Sequence, residues 1–161
     1  MSIGYGTPIP SDGWVKIFNH NIAGGYWSNA NNWEEALMSN PSEPNNYKYS
    51  QLHKLPYMTL NGEYVLKMVM DNYTNIWAQT HNPLELHPLS TPVEGYRAID
   101  IQTTANSWGG LSLGRSLGFL DCNPHSTNWY YPIASTSSWN GGIPQYNSVG
   151  HPTVELWVKI R

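Results

Sequence analysis

Carboxylate side chains are the first residues of this sequence that could support catalysis. Hydrolysis of a glycosidic bond needs two of them facing one cleft, roughly 5–10 Å apart. Among the eleven Asp and Glu residues, Glu34 and Glu35 are adjacent in a predicted helix, where they point in different directions and favour the positive end of the helix dipole. Asp100 and Glu155 alternate with apolar residues in predicted strands, which places them on the solvent side. The sequence therefore predicts no acid–base pair.

Metal-dependent and phosphate-binding chemistry also lack their usual sequence patterns. The chain has no phosphate-binding glycine loop before a helix and no helix with two His residues one turn apart. Cys122 is the single cysteine, so it can form no disulfide within the chain. Pro124 separates it from His125, and no third partner for a catalytic pair is evident. We therefore expect no enzymatic activity.

The composition favours recognition over catalysis. Charged residues make up 12% of the chain, about half the usual share, while Asn, Ser, Gly and Tyr are abundant. Antibody loops use these four residues because rings give rigid contact area and small polar groups give adaptable hydrogen bonds. Eight Lys and Arg residues in a chain of net charge −3 disfavour nucleic acid as a partner. No apolar run approaches the roughly 20 residues of a membrane span, so we expect no membrane insertion.

Residues 121–142 combine aromatic rings with polar groups in one predicted loop. A sugar has an apolar C–H face and a rim of hydroxyls, so an aromatic ring beside amide and carboxylate groups complements it. We predict that Trp139 is the stacking ring, because it stands among Ser, Asn and Gly rather than in an aromatic run; the alternative for each ring is a place in the core. The other predicted ligand-binding residues are Asp121, His125, Asn128, Trp129, Tyr130, Tyr131 and Asn140.

Short strands and a few helical turns must position these groups. The two other long loops rich in Pro, Gly, Asn and Ser, residues 40–46 and 81–92, are further places where function is expected. Segments rich in β-branched and aromatic residues predict strands at 14–19, 63–70, 96–103 and 153–160. The fold class is α+β, with a single domain dominated by antiparallel sheet, two short helices and long loops. Residues 1–13 are predicted to be an arm or linker before a recognition domain at 14–161.

Turn and capping residues predict where the helices and one hairpin lie. Asn61-Gly62, between apolar segments at 57–60 and 63–70, predicts a two-residue hairpin turn. Asn32 is the expected N-cap of a two-turn helix that Pro41 ends. A second short helix is expected at 51–55, with Ser50 as its cap and Pro56 at its end.

The order of these motifs resembles the fibrinogen C-terminal-like domains, the lectin-like fold also found in ficolins and tachylectins. The opening GWVKIFNHNIAGGYWSNANNWEEAL is similar to that family's Trp-bearing strand, glycine turn and short Trp-Glu-Glu helix. The middle segment YSQLHKLPYMTLNGEYVLKMVM resembles its short helix and glycine-turned hairpin. Near the end, Trp129-Tyr130-Tyr131 followed by Asn140-Gly141 resembles its aromatic triplet and Asn-Gly, and residues 154–161 resemble its closing strand. The resemblance covers most of residues 14–161.

This resemblance implies sugar recognition beside the aromatic triplet, with Trp129, Tyr130, Tyr131, Asn140 and Gly141 as the residues it carries to that role. The chain departs from the family in lacking its paired cysteines. Asp121-Cys122-Asn123 stands where the family has the Asp-x-Asp pair that helps to hold calcium. Asp121 and Asn123 are therefore the weak metal candidates, and we expect calcium-independent binding without a cofactor.

We expect a non-catalytic, lectin-like domain that binds a cell-surface glycan or glycoprotein receptor as an adhesion or receptor-binding module. Such compact domains stand at the ends of longer adhesins or viral fibres, so the expected location is extracellular or on a virion surface; the first thirty residues carry no signal-peptide pattern. The alternative is a structural tip domain of a phage or viral fibre, a homotrimer in which the same rings would contact neighbouring subunits.

Overall fold

The structure, a computed structural model, describes residues 10–103, 108–114, 117–124, 132–145 and 149–161. Its strands are β1 (Trp14–Asn21), β2 (Lys48–Ser50), β3 (Tyr64–Met70), β4 (Thr74–Gln79), β5 (Arg97–Ile101), β6 (Leu111–Leu113), β7 (Leu120–Cys122), β8 (Ile143–Gln145), β9 (Val149–His151) and β10 (Thr153–Lys159). Six of them form an antiparallel sheet in the order β2–β1–β10–β3–β4–β5.

The described residues also form two small sheets and three short helices. β6 pairs with β7, and β8 pairs with β9. Helix α1 spans Ala30–Leu37, and 3₁₀ helices span Ile22–Gly24 and Leu52–Tyr57. Within the described ranges, no helix is long and apolar enough to cross a membrane. The predicted α+β class, dominated by antiparallel sheet, is confirmed.

One face of the central sheet is buried because its strands alternate inward and outward side chains. A bulge in β1 between Lys16 and Phe18 turns both Ile17 and Phe18 inward, which adds one more apolar side chain to that face. Every second side chain of β10 is fully buried: Val154, Leu156 and Val158. The opposite face of β1, β10 and β3 carries half-buried Trp, Lys and Glu side chains.

The four predicted strands are all present, and their ends shift by at most two residues. The sequence did not predict β4, although it is an interior strand of the central sheet. Its segment TNIWAQ contains Asn75 and Gln79, which are both fully buried and hydrogen-bonded. Because a sequence pattern assigns such polar residues to the solvent, it does not identify this strand.

Edge strand β5 faces solvent on both sides. Asp100 is exposed, which confirms its predicted solvent-side position. Ile99 is also 48% exposed, although its alternation with Asp100 in the sequence favours a core position for it. The reason is that β5 pairs only with β4 in the central sheet and extends beyond the core.

The predicted hairpin turn at Asn61-Gly62 is confirmed. The Leu60 N–H donates to the Glu63 carbonyl (2.8 Å), and the Glu63 N–H donates to the Leu60 carbonyl (3.1 Å). Asn61 and Gly62 have φ of +53° and +84°. A two-residue hairpin turn of type I′ requires positive φ at both of its central positions. The segment at 57–60 does not form the first strand of a hairpin, because Tyr57 ends a 3₁₀ helix and only Leu60 pairs across the turn.

Helix α1 differs from its prediction at both ends. Asn32 lies inside it rather than at its cap, and Asn31, Asn32 and Trp33 have left-handed backbone with φ of +54°, +56° and +67°. Regular helix therefore begins at Glu34. The helix ends at Leu37, before Pro41, because Ser39 exchanges backbone hydrogen bonds with Ser50 and so extends the chain toward β2.

The second predicted helix is present as a 3₁₀ helix. Leu52 and Leu55 are fully buried, as expected for its apolar face. The Ser50 hydroxyl accepts a hydrogen bond from the Leu52 N–H (3.2 Å), which confirms its capping role. Pro56 lies inside the helix instead of ending it, in the last turn before Tyr57.

Candidate functional site

The loop from α1 to β2 is held by two consecutive turns. The Glu43 N–H donates to the Asn40 carbonyl, and the Asn46 N–H donates to the Glu43 carbonyl, each at 2.9 Å. The Asn19 side chain of β1 donates to the Asn46 carbonyl at 2.8 Å and so ties the loop to the central sheet. This ordered loop includes residues 40–46, one of the three long segments in which function was expected.

Three Asn side chains of this loop are each anchored through one end of the carboxamide. Asn40 Nδ2 donates to the Lys48 carbonyl (2.7 Å), and Asn46 Oδ1 accepts from the Lys48 N–H (2.9 Å). Asn45 Oδ1 accepts from Lys16 Nζ at 3.1 Å. These contacts hold each amide plane in place without using its other polar atom.

An open cavity of about 430 Å³ lies at this loop, and we name it the carboxamide pocket; it is lined by Gly24, Asn40, Asn45, Asn46, Tyr47 and Lys48. Within the part of the chain that the structure describes, Asn40 Oδ1, Asn45 Nδ2 and Asn46 Nδ2 have no hydrogen-bond partner. The pocket therefore offers one acceptor and two amide donor groups from side chains of fixed orientation.

The Tyr47 ring stands at this pocket and is 51% exposed. Its Cβ lies so close to Gly24 that a Cβ on that residue would come within 2.6 Å of it. A side chain at position 24 would therefore displace the Tyr47 side chain. Neither Tyr47 nor the individual Asn residues were predicted as ligand contacts, although a loop with three Asn and two Pro residues was a usable signal.

The positive charge of Lys48 is compensated inside the protein. Lys48 Nζ forms an ion pair with Glu35, donates to the Tyr26 carbonyl at 2.9 Å and lies 5.2 Å from the centre of the Trp27 ring. The remaining side chains of the carboxamide pocket are uncharged. The pocket thus presents hydrogen-bonding groups and a ring, but no free charge.

A buried histidine supports one wall of the carboxamide pocket. His20 Nε2 donates to the Gly25 carbonyl at 2.8 Å, next to Gly24. Its ring is fully buried against Phe18, Tyr26 and Trp27. Desolvation lowers the pKa of His20 from 6.5 to about 4, so the ring is neutral at physiological pH.

A second open cavity, of about 530 Å³, follows helix α1. Glu34 and Glu35 both line it, although the sequence placed them in different directions. Glu35 is ion-paired with Lys48, while Glu34 is exposed. The His53 ring at this cavity contacts the Leu37 carbonyl through Nδ1 at 3.1 Å. The lining is otherwise a mixture of small polar and apolar side chains.

The other groups considered for catalysis lie apart from both cavities. Asp100 is on edge strand β5, and Glu155 is on the outer face of β10, where it accepts from Trp157 Nε1 (2.9 Å). Cys122 is fully enclosed, and burial raises the pKa of its thiol well above the usual value. In the ranges described above, no group of three or more His, Cys, Asp and Glu residues could hold a metal ion.

The predicted stacking residue, Trp139, lies on a tight turn. Its N–H donates to the Gly142 carbonyl (2.8 Å), and the Gly142 N–H donates back (3.2 Å). Asn140 and Gly141 occupy the turn with φ of +47° and +86°. The indole is 42% exposed and Asn140 is exposed, so both are accessible to a ligand.

The rest of the predicted site is either buried or outside the described residues. Asp121 lies in β7 and is fully buried, so its carboxylate does not face solvent and is not retained as a sugar contact. Asn123 is also fully buried, and its side chain binds Ser112 Oγ (2.7 Å) and the Pro88 carbonyl (2.9 Å). The predicted residues outside the described ranges are His125, Asn128, Trp129, Tyr130 and Tyr131.

We predict that Trp139→Ala leaves the domain folded. Because the indole is 42% exposed, its truncation should change the free energy of unfolding by less than about 1 kcal/mol, against roughly 3–5 kcal/mol for a buried Trp. Urea denaturation of Trp139→Ala beside Trp77→Ala, whose indole is fully buried, tests this. Equal destabilisation by the two substitutions would show that Trp139 is a structural residue.

Comparisons with protein-family models, with curated proteins and with solved structures find no match for this chain. The likeness to fibrinogen C-terminal-like domains therefore stays a prediction from the sequence motifs. What this surface can bind follows from the side chains described above.

Proposed function

We propose that this domain is a non-catalytic carbohydrate-binding module, and that the carboxamide pocket is its binding site. The observation that carries the proposal is the set of three anchored Asn side chains beside a half-exposed Tyr ring. Each of these side chains has one polar atom that makes no hydrogen bond within the described residues. A module of this kind serves adhesion or receptor binding at a cell or virion surface. The lectin-like resemblance of the sequence motifs supports the same function.

The chemistry of the pocket suits a sugar because hydroxyl groups both donate and accept hydrogen bonds. Asn45 Nδ2 and Asn46 Nδ2 can donate to hydroxyl oxygens, and Asn40 Oδ1 can accept from a hydroxyl hydrogen. The Tyr47 ring offers an apolar face to the C–H groups of a pyranose. Since the three amides are already fixed by Lys16 and Lys48, binding loses little side-chain entropy.

We propose that the preferred ligand of this pocket is a neutral sugar. Among the described residues that line it, Lys48 is the one cation, and its ammonium is already bound by Glu35 and the Tyr26 carbonyl. A carboxylate on the sugar would therefore lose water without gaining a free positive partner, which disfavours burial of that charge. Calcium is not needed for this arrangement, because the proposed ligand contacts are made by amides and a ring.

Substitutions of Tyr47 and Asn45 test the site. A glycan array identifies a neutral glycan that the parent binds, and titration then measures its Kd for each variant. We expect Tyr47→Ala and Asn45→Ala each to weaken binding at least about tenfold, the scale of an interface anchor. Tyr47→Ala keeps the Cβ that lies against Gly24, so the loop should remain folded.

Tyr57→Ala is the matched control, because Tyr57 is 87% exposed and does not line the carboxamide pocket. It should bind the glycan with the affinity of the parent. Addition of a chelator should change neither the Kd of the parent nor that of Tyr57→Ala. Trp139→Ala shows whether the Trp139 turn adds a second contact. Full affinity of both Tyr47→Ala and Asn45→Ala would contradict the carboxamide pocket, and absence of any glycan bound by the parent would contradict the function.

A structural tip domain that forms a homotrimer is the second candidate function. The observation that favours it is edge strand β5, in which Arg97, Ala98, Ile99 and Asp100 are all exposed. An open, partly apolar sheet edge is where a neighbouring chain can pair. The molar mass in solution separates the candidates, since a stable trimer weakened by Ile99→Lys favours the structural function and a monomer favours the binding module.

A further inference from the structure

The outer face of the central sheet carries a cluster of cations on aromatic rings that the carboxamide pocket does not include. We name it the lysine–tryptophan face and define it by Trp14 and Lys16 of β1, Trp157 and Lys159 of β10, and Lys67 of β3. In the sheet register, Lys16 lies opposite Trp157, which in turn lies opposite Lys67. Trp14 lies opposite Lys159 in the same way. Residues distant in sequence thus form one continuous surface.

The ammonium groups of this face lie over the two indole rings. Lys67 Nζ is 4.7 Å from the centre of the Trp14 ring and 4.8 Å from that of Trp157. Lys159 Nζ lies 5.5 Å over Trp14, and Lys16 Nζ lies 5.5 Å over Trp157. Such contacts hold the ammonium groups in place through the ring quadrupole but leave their positive charge uncancelled.

Most of this positive charge has no acidic partner. Glu155 forms an ion pair with Lys16 at 3.6 Å, and its other oxygen accepts from Trp157 Nε1. Lys67 and Lys159 form no ion pair within the described ranges. Three of the eight Lys and Arg residues of a chain with net charge −3 therefore meet on one face, and two of them are free to attract an anion.

We propose that the lysine–tryptophan face binds an acidic polysaccharide, with Lys67 and Lys159 holding its carboxylate or sulfate groups. Charge complementarity selects an anionic partner, and the geometry selects among anionic polymers. Nucleobases need bare ring faces for stacking, whereas ammonium groups cover both indoles here. An extended peptide binds by adding to a sheet edge, whereas β10 and β3, which carry Lys159 and Lys67, are interior strands that already pair on both sides.

The lysine–tryptophan face is separate from the carboxamide pocket and would take a charged ligand, so binding at each surface can be tested independently of the other. The test measures Kd of the whole chain for heparin, which is sulfated, and for polygalacturonate, which is carboxylated, with dextran as the neutral polymer. The parent should bind at least one acidic polymer in about 20 mM salt and should bind more weakly in about 200 mM salt, because salt screens exposed charges. Dextran should not compete.

The double variant Lys67→Gln/Lys159→Gln should weaken this binding at least about fivefold, as expected for the loss of two exposed ion pairs. Lys67→Arg/Lys159→Arg keeps the charge and should restore most of the affinity, which separates loss of charge from loss of fold. Lys54→Gln removes one charge elsewhere and should bind like the parent. The proposal is overturned if the parent binds neither acidic polymer, if the Gln variant keeps full affinity, or if single-stranded DNA binds more tightly than both polysaccharides.

Discussion

Gln79→Leu is expected to lower the free energy of unfolding by at least about 3 kcal/mol, because it leaves several buried polar groups without partners. Gln79 is fully buried, and its Oε1 accepts from Trp77 Nε1 (2.9 Å) and from the Leu111 N–H (3.0 Å). Its Nε2 donates to the carbonyls of His81 (2.7 Å) and Leu111 (2.9 Å). The Gln79 side chain thus pairs with both backbone polar groups of Leu111 in β6, which would otherwise need partners on a neighbouring strand.

The magnitude follows from the count of groups left unsatisfied. Leucine has nearly the volume of glutamine but cannot pair with the Leu111 N–H, the Leu111 carbonyl or the His81 carbonyl, and each such buried group costs about 1–3 kcal/mol. Urea denaturation followed by tryptophan fluorescence measures the difference. The fluorescence of the folded protein should also change on loss of the Gln79 hydrogen bond, because Trp77 donates to Gln79 and lies 4.9 Å from the Trp108 ring.

Gln102→Leu is the matched control for this substitution. Gln102 is exposed, and its Oε1 accepts from the Thr74 N–H at 2.9 Å. Water can replace that partner, so the control should lose less than about 1 kcal/mol. A Gln79→Leu protein as stable as the control would mean that β6 does not depend on this side chain.

Acidification from pH 6.5 to about pH 4 is expected to destabilise the domain by about 3 kcal/mol through His20 alone. Burial lowers the pKa of His20 from 6.5 to about 4, so over this range the unfolded state binds a proton that the folded state refuses. Stability therefore falls as the pH falls, by up to about 1.36 kcal/mol per pH unit, and the effect fades as the pH rises above 6.5.

The local structure explains why the folded state resists this proton. His20 Nε2 already donates to the Gly25 carbonyl, so the proton must enter at Nδ1. Nδ1 is buried and has no hydrogen-bond partner among the described residues. The charged ring would therefore be both desolvated and incompletely hydrogen-bonded, and the nearby Lys48 ammonium would repel it.

Chemical denaturation of the parent and of His20→Gln at several pH values tests this expectation. The parent should lose about 3 kcal/mol more than His20→Gln between pH 7 and pH 4, since the variant has no ring to protonate at this position. His53→Gln, at a half-buried histidine, is measured beside them as the control for replacing a histidine by an amide side chain. Parallel stability curves for the parent and His20→Gln would show that His20 protonates equally easily in both states.

The sequence by itself determined the features that depend on neighbouring residues. Alternation of apolar and polar side chains predicts the strand at 153–160, because side chains of a strand point to opposite faces in turn. Asn61-Gly62 predicts its turn because both residues tolerate positive φ. The same local chemistry places Trp139 on a turn at Asn140-Gly141, where its indole is partly exposed.

Only the tertiary structure decided which polar side chains are buried and which meet at the surface. Asp121 and Gln79 look like surface residues in the sequence, yet both are fully buried. The loop at 40–46 was expected to be functional, but nothing in its composition shows that Lys16 and Lys48 hold one end of each Asn amide and leave the other end available.

The lysine–tryptophan face depends in the same way on contacts between residues far apart in the chain. Lys67 meets Trp14 and Trp157 because β10 pairs with both β1 and β3. Strand pairing is set by the sum of burial and hydrogen bonding over the whole sheet, whereas a sequence pattern reports the preference of each segment alone. The physical reason for the difference is that cooperative burial, rather than local propensity, brings these side chains together.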